Sequence, residues 1–288
     1  MTFADNLRGM KAEIEQLLRD FILNFTSIEV IPSERGDRIV FIGSSYWLPL
    51  KQGGKPAQTT LLIKYRDFYN IIKAVTTGQP AEDLKELELS DKTLHDAIEQ
   101  STTNLVKSTD VVLNECVKAL DQQIGLLAAF APSPMLAGVF VPDTNALILN
   151  PDLEKWTFDG HNSLLLVLLP TVLAELDKLK VEHRNEDFRN KAKGIINRIK
   201  EYRRRGRLCD GVPLKQGFSQ IMSMAKEPDF ANTLPWLEKD NADDRFLASF
   251  LEIVRSYPHS PVTLVTLDIN LQSKAEVARL PFVEPPPP

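Results

Sequence analysis

Cysteine and histidine are scarce in this sequence, which has two cysteines and four histidines among 288 residues. Cys116 and Cys209 lie far apart and lack metal-ligand spacing, so we expect neither a disulfide framework nor a thiolate metal site. The histidines form no Ser-His-Asp or Cys-His arrangement, which argues against catalysis by a protein nucleophile.

Long apolar runs are also missing. No apolar run exceeds six residues, and the six-residue run Leu164–Leu169 stops at Pro170. The opening residues, MTFADNLRGM, have no basic stretch followed by an apolar one. We therefore expect no membrane span, no export signal and a cytoplasmic location. The 43% hydrophobic content is enough to bury the core of one large domain or two ordinary ones.

The chain has no overall excess of positive charge, since its formal net charge is −5. This balance argues against indiscriminate binding of nucleic acids. Positive charge is instead local: between Lys178 and Lys215 lie thirteen of the 34 lysines and arginines, against five acids. We expect this segment alone to face a polyanion.

The first 135 residues are predicted to form a mainly helical accessory domain with a β-hairpin. An amphipathic helix is indicated by apolar residues at intervals of three and four, namely Leu7, Met10, Ile14, Leu17, Leu18, Phe21 and Ile22. The segment from Arg38 to Tyr65 resembles two strands around KQGGKP, whose paired glycines permit a tight reversal.

A single long helix is predicted from Asp91 to Phe130, where proline is absent and Gly125 is the only glycine. Its apolar residues approximate a heptad pattern that packs either within its own domain or against a second copy of the chain, so a homodimer through this helix is an alternative. The pattern comprises Leu94, Ile98, Leu105 and Val112, then Leu113, Val117, Leu120, Ile124 and Leu127. Two prolines in Ala131–Met135 end the helix and place a domain boundary near residue 135.

The pattern changes in residues 136–284. Continuous apolar runs at Gly138–Val141, Leu164–Leu169 and Val262–Leu267 alternate with helical segments. Such runs are typical of a parallel sheet that helices cover on both faces, so the predicted class is α/β with an α/β/α sandwich. The last four residues, 285–288, are all proline, and we expect a disordered tail.

Acidic residues recur where strands end and helices begin. Asp143 follows the first strand, and Asp268 follows the last. Glu175 lies one turn into a helix that begins at Pro170, while Asp243 and Asp244 open a helix that Asn241 can cap. Each acid alone is compatible with a capping or turn role. Together they predict a shared site, because ligands of open α/β sheets bind beyond the carboxyl ends of the strands.

Clustered carboxylates repel one another, so a shared site needs a cation or raised pKa values. Ligands that are all oxygen suit Mg²⁺ or Mn²⁺. Such an ion lowers the pKa of water and stabilises charge on a phosphoryl oxygen, which is the requirement for phosphodiester hydrolysis.

Four segments of the sequence resemble the signature blocks of PIN domains. These are VPDTNALI, LPTVLAELDKLK, NADDRFLASFL and LVTLDINLQSKA, and together they span about residues 137–284. The similarity is strongest to the branch found in nonsense-mediated-decay endonucleases and at the front of PhoH-type ATPases. It implies a compact α/β/α domain that binds Mg²⁺ or Mn²⁺ and cleaves single-stranded RNA.

The resemblance implies that Asp143, Glu175, Asp243 and Asp268 are the catalytic, metal-binding acids, with Asp244 as an auxiliary acid. The third block departs from the family pattern, because Ala242 stands between Asn241 and the first acid. Alignment on the following DDRFL favours Asp243 over Asp244. The polar residues expected to orient ligands or water are Thr144, Asn145, Thr266 and Asn270.

The basic segment FRNKAKGIINRIKEYRRRGRL supplies the expected RNA contacts. Positive side chains surround an apolar helix face, and such charges neutralise phosphates without reading bases. The predicted RNA-binding residues are Lys191, Lys193, Arg198, Arg203, Arg204 and Arg205. A solvated helix face is the alternative. Phe188, Tyr202 and Trp236 are candidates either for base stacking or for the core.

The leading hypothesis is thus a metal-dependent endoribonuclease that acts on single-stranded RNA. One alternative is a weak or inactive PIN scaffold that binds RNA or protein, and another is a nuclease for single-stranded DNA or flaps. A toxin of a toxin–antitoxin pair is disfavoured by residues 1–135, because such toxins are little more than the PIN domain.

Overall fold

The computed structural model describes residues 3–31, 34–35, 40–41, 44–101, 108–127, 138–161, 163–214, 219–257 and 260–288. The chain divides into two compact units, one of residues Leu7–Ala128 and the other of Met1–Asn6 with Ala129–Pro288. The proline pair at Ala131–Met135 and the predicted boundary at residue 135 lie outside the described residues. None of the helices described is long and apolar enough to cross a membrane.

Four helices dominate the N-terminal part: α1 (Phe3–Asp20), α2 (Gly54–Thr76), α3 (Ala81–Glu99) and α4 (Thr109–Gly125). A short π-helical turn, Phe21–Phe25, extends α1. Leu7, Ile14, Leu18 and Ile22 are fully or almost fully buried, as the amphipathic pattern predicts. The mainly helical character of this part is confirmed.

The small antiparallel strands lie earlier in the chain than expected. β1 (Ile28–Ile31) pairs with β4 (Ser44–Trp47), and β2 (Glu34–Arg35) pairs with β3 (Val40–Phe41). The predicted strand after KQGGKP is wrong, because the residues that follow this segment, up to Tyr65, belong to α2. Leu61, Tyr65 and Phe68 recur at helical spacing and are fully buried, so the period of the apolar face outweighs the turn signal of the glycines.

The predicted continuous helix from Asp91 to Phe130 is also wrong. α3 ends at Glu99, and Gln100 adopts a left-handed conformation with φ of 56°. α4 starts anew after Ser108, whose side chain accepts a hydrogen bond from the Val111 N–H at 3.2 Å. Ser101 donates its hydroxyl to Asp96 Oδ1 at 2.7 Å, a kind of side-chain hydrogen bond that competes with helical ones, and α3 thus ends without proline or glycine.

Most of the heptad-like residues of this segment pack within the chain itself. Leu94, Ile98 and Leu120 are fully buried, and Val112 and Leu113 are nearly so. Leu105 lies outside the described residues. Packing inside the N-terminal unit accounts for the pattern, and the homodimer stays a prediction.

A six-stranded sheet forms the centre of the C-terminal part. Its strands are β5 (Gly138–Pro142), β6 (Leu164–Leu168), β7 (Val212–Pro213), β8 (Gln220–Ser223), β9 (Val262–Val265) and β10 (Phe282–Val283). They lie in the order β10-β9-β5-β6-β8-β7, and all pairs are parallel except β7 with β8. Every residue of β5 is buried, so helices cover both faces and the predicted α/β/α class is confirmed.

The helices of this part are α5 (Thr144–Leu149), α6 (Pro170–Glu182), α7 (Glu186–Arg205), α8 (Ala242–Ser256) and α9 (Ile269–Val277). Pro170 opens α6 at a position where a missing N–H costs nothing. The C-terminal prolines are not detached from this part, in contrast with the expected disordered tail. The Asn150 side chain donates to the carbonyls of Pro286 at 3.0 Å and Pro287 at 3.1 Å.

Candidate functional site

The order of the strands brings three predicted acids to one edge of the sheet. From β5 the chain moves to β6 and β8 on one side, and β9 then returns to the opposite side of β5. The carboxyl end of β5 is therefore a topological switch point, where ligands of open α/β sheets bind. Asp143 directly follows β5, Asp268 follows β9, and Glu175 lies in the second turn of the helix after β6.

A pocket of about 650 Å³ opens at this edge. All four acids predicted to bind metal line it, as do Thr144 and Asn145. Its remaining lining residues are Thr171, Val172, Ala174, Lys178, Leu179, Glu182, His183, Ala242, Arg245, Phe246 and Leu271. We call this cavity the acid pocket.

Asp143 is the most buried of the four acids, with 6% of its surface exposed. Its Oδ1 caps α5 by accepting a 2.6 Å hydrogen bond from the Ala146 N–H, and its Oδ2 accepts from the Thr266 hydroxyl. Burial, supplemented by the charges of Asp268 and Glu175 and partly offset by these two hydrogen bonds, raises the pKa of Asp143 to about 6.

Hydroxyl groups hold two further parts of the pocket. The Thr144 hydroxyl donates to Glu175 Oε2 at 2.6 Å, which links the start of α5 to α6. Thr266 Oγ1 accepts from the Asp268 N–H at 3.0 Å while its hydroxyl donates to Asp143. Asp268 in turn caps α9, because its Oδ1 accepts from the N–H groups of Asn270 and Leu271. Thr144 and Thr266 thus orient the acids of the site.

The two acids that open α8 have different environments. Asp243 lines the acid pocket with 31% of its side chain exposed, and its Oδ2 accepts from the Asn270 side chain. Asp244 is buried and does not line the pocket. Its Oδ2 accepts from the Glu238 N–H at 3.0 Å, and its Oδ1 contacts Lys274 Nζ at 2.8 Å. This geometry favours a structural role for Asp244 and leaves Asp243 at the pocket.

Lys274 is a residue of this site that the sequence patterns did not single out. Its Nζ lies 2.8 Å from Asp244, 3.4 Å from Asp243 and 3.2 Å from Asn241 Oδ1. These carboxylates raise the pKa of Lys274 against the opposing effect of its burial, so it remains a cation within the acid cluster. Its spacing of four from Asn270 places both residues on one face of α9, but that spacing does not show that this face meets α8.

The residues of the acid pocket suit a hard divalent cation in type and charge. Four carboxylates supply only oxygen donors, and the buried Asp143 is held at a raised pKa that a bound cation would lower. Among the described residues, however, no three His, Cys, Asp or Glu side chains are arranged to hold one ion. Three of the carboxylates instead accept hydrogen bonds within the protein: Glu175 from Thr144, Asp143 from Thr266, and Asp243 from Asn270.

The predicted RNA-binding residues on α7 fall into two groups. Lys191, Lys193, Arg203 and Arg204 are exposed. Arg198 contacts Asp152 Oδ1 at 2.5 Å and donates to the Pro151 carbonyl, whereas Arg205 contacts Glu154 at 3.4 Å and lies over the Tyr202 ring. The exposed group therefore carries charge that has no carboxylate partner among the residues described. Tyr202 is 3% exposed and belongs to the core.

The fold and the acid pocket define an α/β protein with a nuclease-type fold. Comparison with protein families agrees with this class and identifies one family. The model of the PIN domain family matches residues 140–284, which are 145 of the 288 residues and thus half of the chain. The chain belongs to the PIN domain family, as its four sequence blocks predict. A search of curated proteins found no match.

Proposed function

We propose that the protein is a metal-dependent endoribonuclease, which hydrolyses phosphodiester bonds of single-stranded RNA with Mg²⁺ or Mn²⁺. The observation that supports this proposal most strongly is the convergence of Asp143, Glu175, Asp243 and Asp268 on the acid pocket. Five carboxylates line this pocket, these four and Glu182, and they repel a phosphate unless a cation compensates their charge.

Each acid has a distinct task in this proposal. Asp143, Asp243 and Asp268 would hold the cation, and Glu175 would share it or hold the attacking water by hydrogen bonding. Thr144 and Thr266 keep Glu175 and Asp143 in place through their hydroxyl groups. Asn145, which is exposed at the pocket, and Asn270 would orient ligands or water. When bound, the cation lowers the pKa of water and neutralises charge on the phosphate oxygens.

Binding of the substrate strand would use charge outside the acid cluster. Lys178 is exposed and lines the acid pocket, and Lys191, Lys193, Arg203 and Arg204 are exposed on the next helix, α7. These side chains would neutralise phosphates without selecting a sequence.

The direct test incubates the purified protein with labelled single-stranded RNA and DNA in Mn²⁺, Mg²⁺ or EDTA. We expect cleavage of RNA with either metal, and loss of that cleavage in EDTA and in Asp143→Asn and Asp268→Asn. Cleavage that persists in EDTA or in both variants would contradict the mechanism. Preferential cleavage of DNA would instead indicate the single-stranded DNA or flap nuclease.

A second candidate, an inactive PIN scaffold that binds RNA, is favoured by one observation. No three acids among the described residues are arranged to hold an ion, and Lys274 already neutralises part of the cluster. Titration calorimetry with Mn²⁺ separates the two candidates. Binding that disappears in Asp268→Asn supports the nuclease, whereas RNA binding without any uptake of Mn²⁺ supports the scaffold.

A further inference from the structure

Two aromatic rings stack at the edge of the acid pocket, where α6 ends and α7 begins. The ring centroids of His183 and Phe188 are 4.8 Å apart, with an angle of 30° between the ring planes. His183 lines the acid pocket. Phe188 continues the apolar stripe of Ala192, Ile195 and Ile199 by one turn, yet it leaves the core and is 37% exposed. The stack therefore places an apolar, ring-shaped surface beside the site of the proposed chemistry.

The short connection between α6 and α7 fixes the His183 ring. Its Nδ1 lies 3.2 Å from the backbone nitrogen of Asn185 and 3.3 Å from the Asn185 carbonyl oxygen, so Asn185 holds the ring in either tautomer. The Asn185 side chain also caps α7 by accepting from the Asp187 N–H at 2.8 Å. Arg189 donates to the carbonyls of His183 at 2.6 Å and Arg184 at 3.1 Å. The stack is thus preorganised, which lowers the entropy cost of binding to it.

A flexible cation adjoins the same stack. Lys191 Nζ lies 6.0 Å from the Phe188 ring centroid, at the outer limit of a cation–π contact. This weak contact lets Lys191 leave the ring and meet a phosphate when another flat group takes its place. A flat apolar face, an exposed cation and the adjacent site of the proposed phosphodiester hydrolysis match one kind of ligand: a nucleotide whose base is unstacked.

We propose that His183 and Phe188 form a base-stacking subsite that holds one unpaired base beside the phosphodiester in the acid pocket, with Lys191 on its phosphate. This inference rests on the proposed function and makes it more specific, because the bases of a duplex cannot offer a free face. Of the three aromatic candidates in the sequence, Tyr202 is buried, and Trp236 is 40% exposed but does not line the acid pocket. Phe188 is exposed and, although it does not line the pocket itself, it stacks on His183, which does.

The test measures stacking apart from cleavage. All binding proteins carry Asp143→Asn so that the RNA stays intact, and Mg²⁺ is present. A single-stranded RNA of about eight nucleotides carries 2-aminopurine at each position in turn. We expect quenching at one position with Phe188 and with Phe188→Trp, and loss of that quenching with Phe188→Ala. Affinity should fall about 5- to 150-fold in Phe188→Ala.

A second RNA that lacks the base at the quenched position completes a thermodynamic cycle. The protein with Phe188 and the Phe188→Ala protein should bind this abasic RNA with equal affinity, because the base that would stack on residue 188 is absent. The matched control is Trp236→Ala, which removes an exposed aromatic ring elsewhere and should leave affinity unchanged. Thermal melting checks that Phe188→Ala is folded, and Phe188→Trp tests the role of a ring without truncation.

The outcomes separate this subsite from the proposed hydrolysis. A Phe188→Ala protein that loses affinity equally for intact and abasic RNA, or that loses none, overturns the subsite. If the otherwise unmodified protein cleaves RNA while Phe188→Ala keeps full quenching, only the subsite is wrong. If position-specific quenching depends on Phe188 but no RNA is cleaved under any metal condition, the subsite stands and only the hydrolysis is lost.

Discussion

Two features of the environment of Asp143 have opposite effects on its pKa. As the cap of α5 it accepts from the Ala146 N–H, an interaction that favours the carboxylate. Its burial at the end of β5, beside two other acids, favours the neutral form. The effect of burial is the larger one, since the pKa of Asp143 is raised to about 6. The charged side chain therefore costs stability at neutral pH, and a bound cation would remove that cost.

Substitution of Asp143 by Asn should stabilise the metal-free protein at pH 7. Asn keeps a capping oxygen, and it removes a cost of up to about 3 kcal/mol, from a pKa of about 6 against an ordinary 3.8. The cost is absent well below pH 3.8, where the carboxyl group is protonated in both the folded and the unfolded state, grows as the pH rises from 3.8 towards 6, and is constant above about 6. Urea unfolding in EDTA, followed by tryptophan fluorescence between pH 4 and 7, measures this difference.

The control for this series is Asp159→Asn, which changes an exposed carboxylate outside the acid pocket. It should alter the free energy of unfolding by less than about 0.5 kcal/mol at any pH. An Asp143→Asn protein that is less stable than wild type at pH 7 in EDTA would show that burial does not dominate at this carboxylate.

The two acids of α8 should separate into a stability role and an activity role. Asp244→Ala leaves the Glu238 N–H without its acceptor and removes the shortest contact of Lys274, and we expect a loss of about 2–3 kcal/mol in unfolding free energy. Asp243→Ala should cost less than about 1 kcal/mol but lower the RNA cleavage rate roughly 100-fold or more. Urea unfolding and single-turnover cleavage of both variants provide the comparison, and the reverse assignment would make Asp244 the ligand.

At the scale of secondary structure, the sequence correctly predicts the features that depend on the local pattern of apolar and acidic residues. The apolar runs of β5, β6 and β9 are buried strands, and the acids after them share a pocket because parallel neighbours end at one edge. Lys274 was not predictable in this way. Its role depends on the approach of α9 to the start of α8, a tertiary relation that no spacing within one helix encodes.

Both wrong helix and strand predictions in the N-terminal part share one physical cause. Each prediction gave too much weight to glycine and proline as signals for turns and helix ends, and too little weight to the other residues. In α2 the helical period of Leu61, Tyr65 and Phe68 outweighs KQGGKP as a hairpin turn, and α3 ends at the left-handed Gln100 without either breaker. The packing of α2, α3 and α4 therefore depends on side chains that the sequence pattern did not single out.

Tyr65 tests this packing, because it connects these three helices through hydrogen bonds. Its hydroxyl donates to Asp91 Oδ1 at 2.8 Å and accepts from Gln123 Nε2 at 3.0 Å, and Gln123 is fully buried. Tyr65→Phe should cost about 1–3 kcal/mol in unfolding free energy, because it leaves the Gln123 donor unsatisfied. Denaturation followed by far-ultraviolet circular dichroism measures the loss.

Tyr69→Phe is the matched control, since Tyr69 is only half-buried, and it should cost less than about 0.5 kcal/mol. In the Tyr65→Phe background, Gln123→Leu should restore part of the stability by removing the unsatisfied amide. Equal losses from Tyr65→Phe and Tyr69→Phe would show that the hydrogen bonds of Tyr65 contribute nothing beyond its ring.

At the scale of the whole molecule, the net charge of −5 would repel the RNA of the proposed function, whereas the exposed basic side chains of α7 would attract it. Local charge must dominate if the proposed function holds, because salt at physiological concentration screens exposed charges beyond about 8 Å. A comparison of two variants with the same net charge decides between local and global effects. Lys191→Gln with Lys193→Gln alters α7, and Lys85→Gln with Lys92→Gln alters exposed lysines of the N-terminal unit; each pair changes the net charge from −5 to −7 (−5 − 2).

Only the α7 pair should weaken RNA binding and flatten its salt dependence. For single strands the slope of log affinity against log salt changes by about 0.7 for each phosphate contact, so loss of two contacts should reduce its magnitude by about 1.4. The Lys85 and Lys92 pair should leave both affinity and slope unchanged, because its charges are not on α7. Fluorescence anisotropy with single-stranded RNA at a series of salt concentrations gives both quantities. Equal weakening by the two pairs would mean that total charge, and not the exposed face of α7, governs the approach of RNA to the acid pocket.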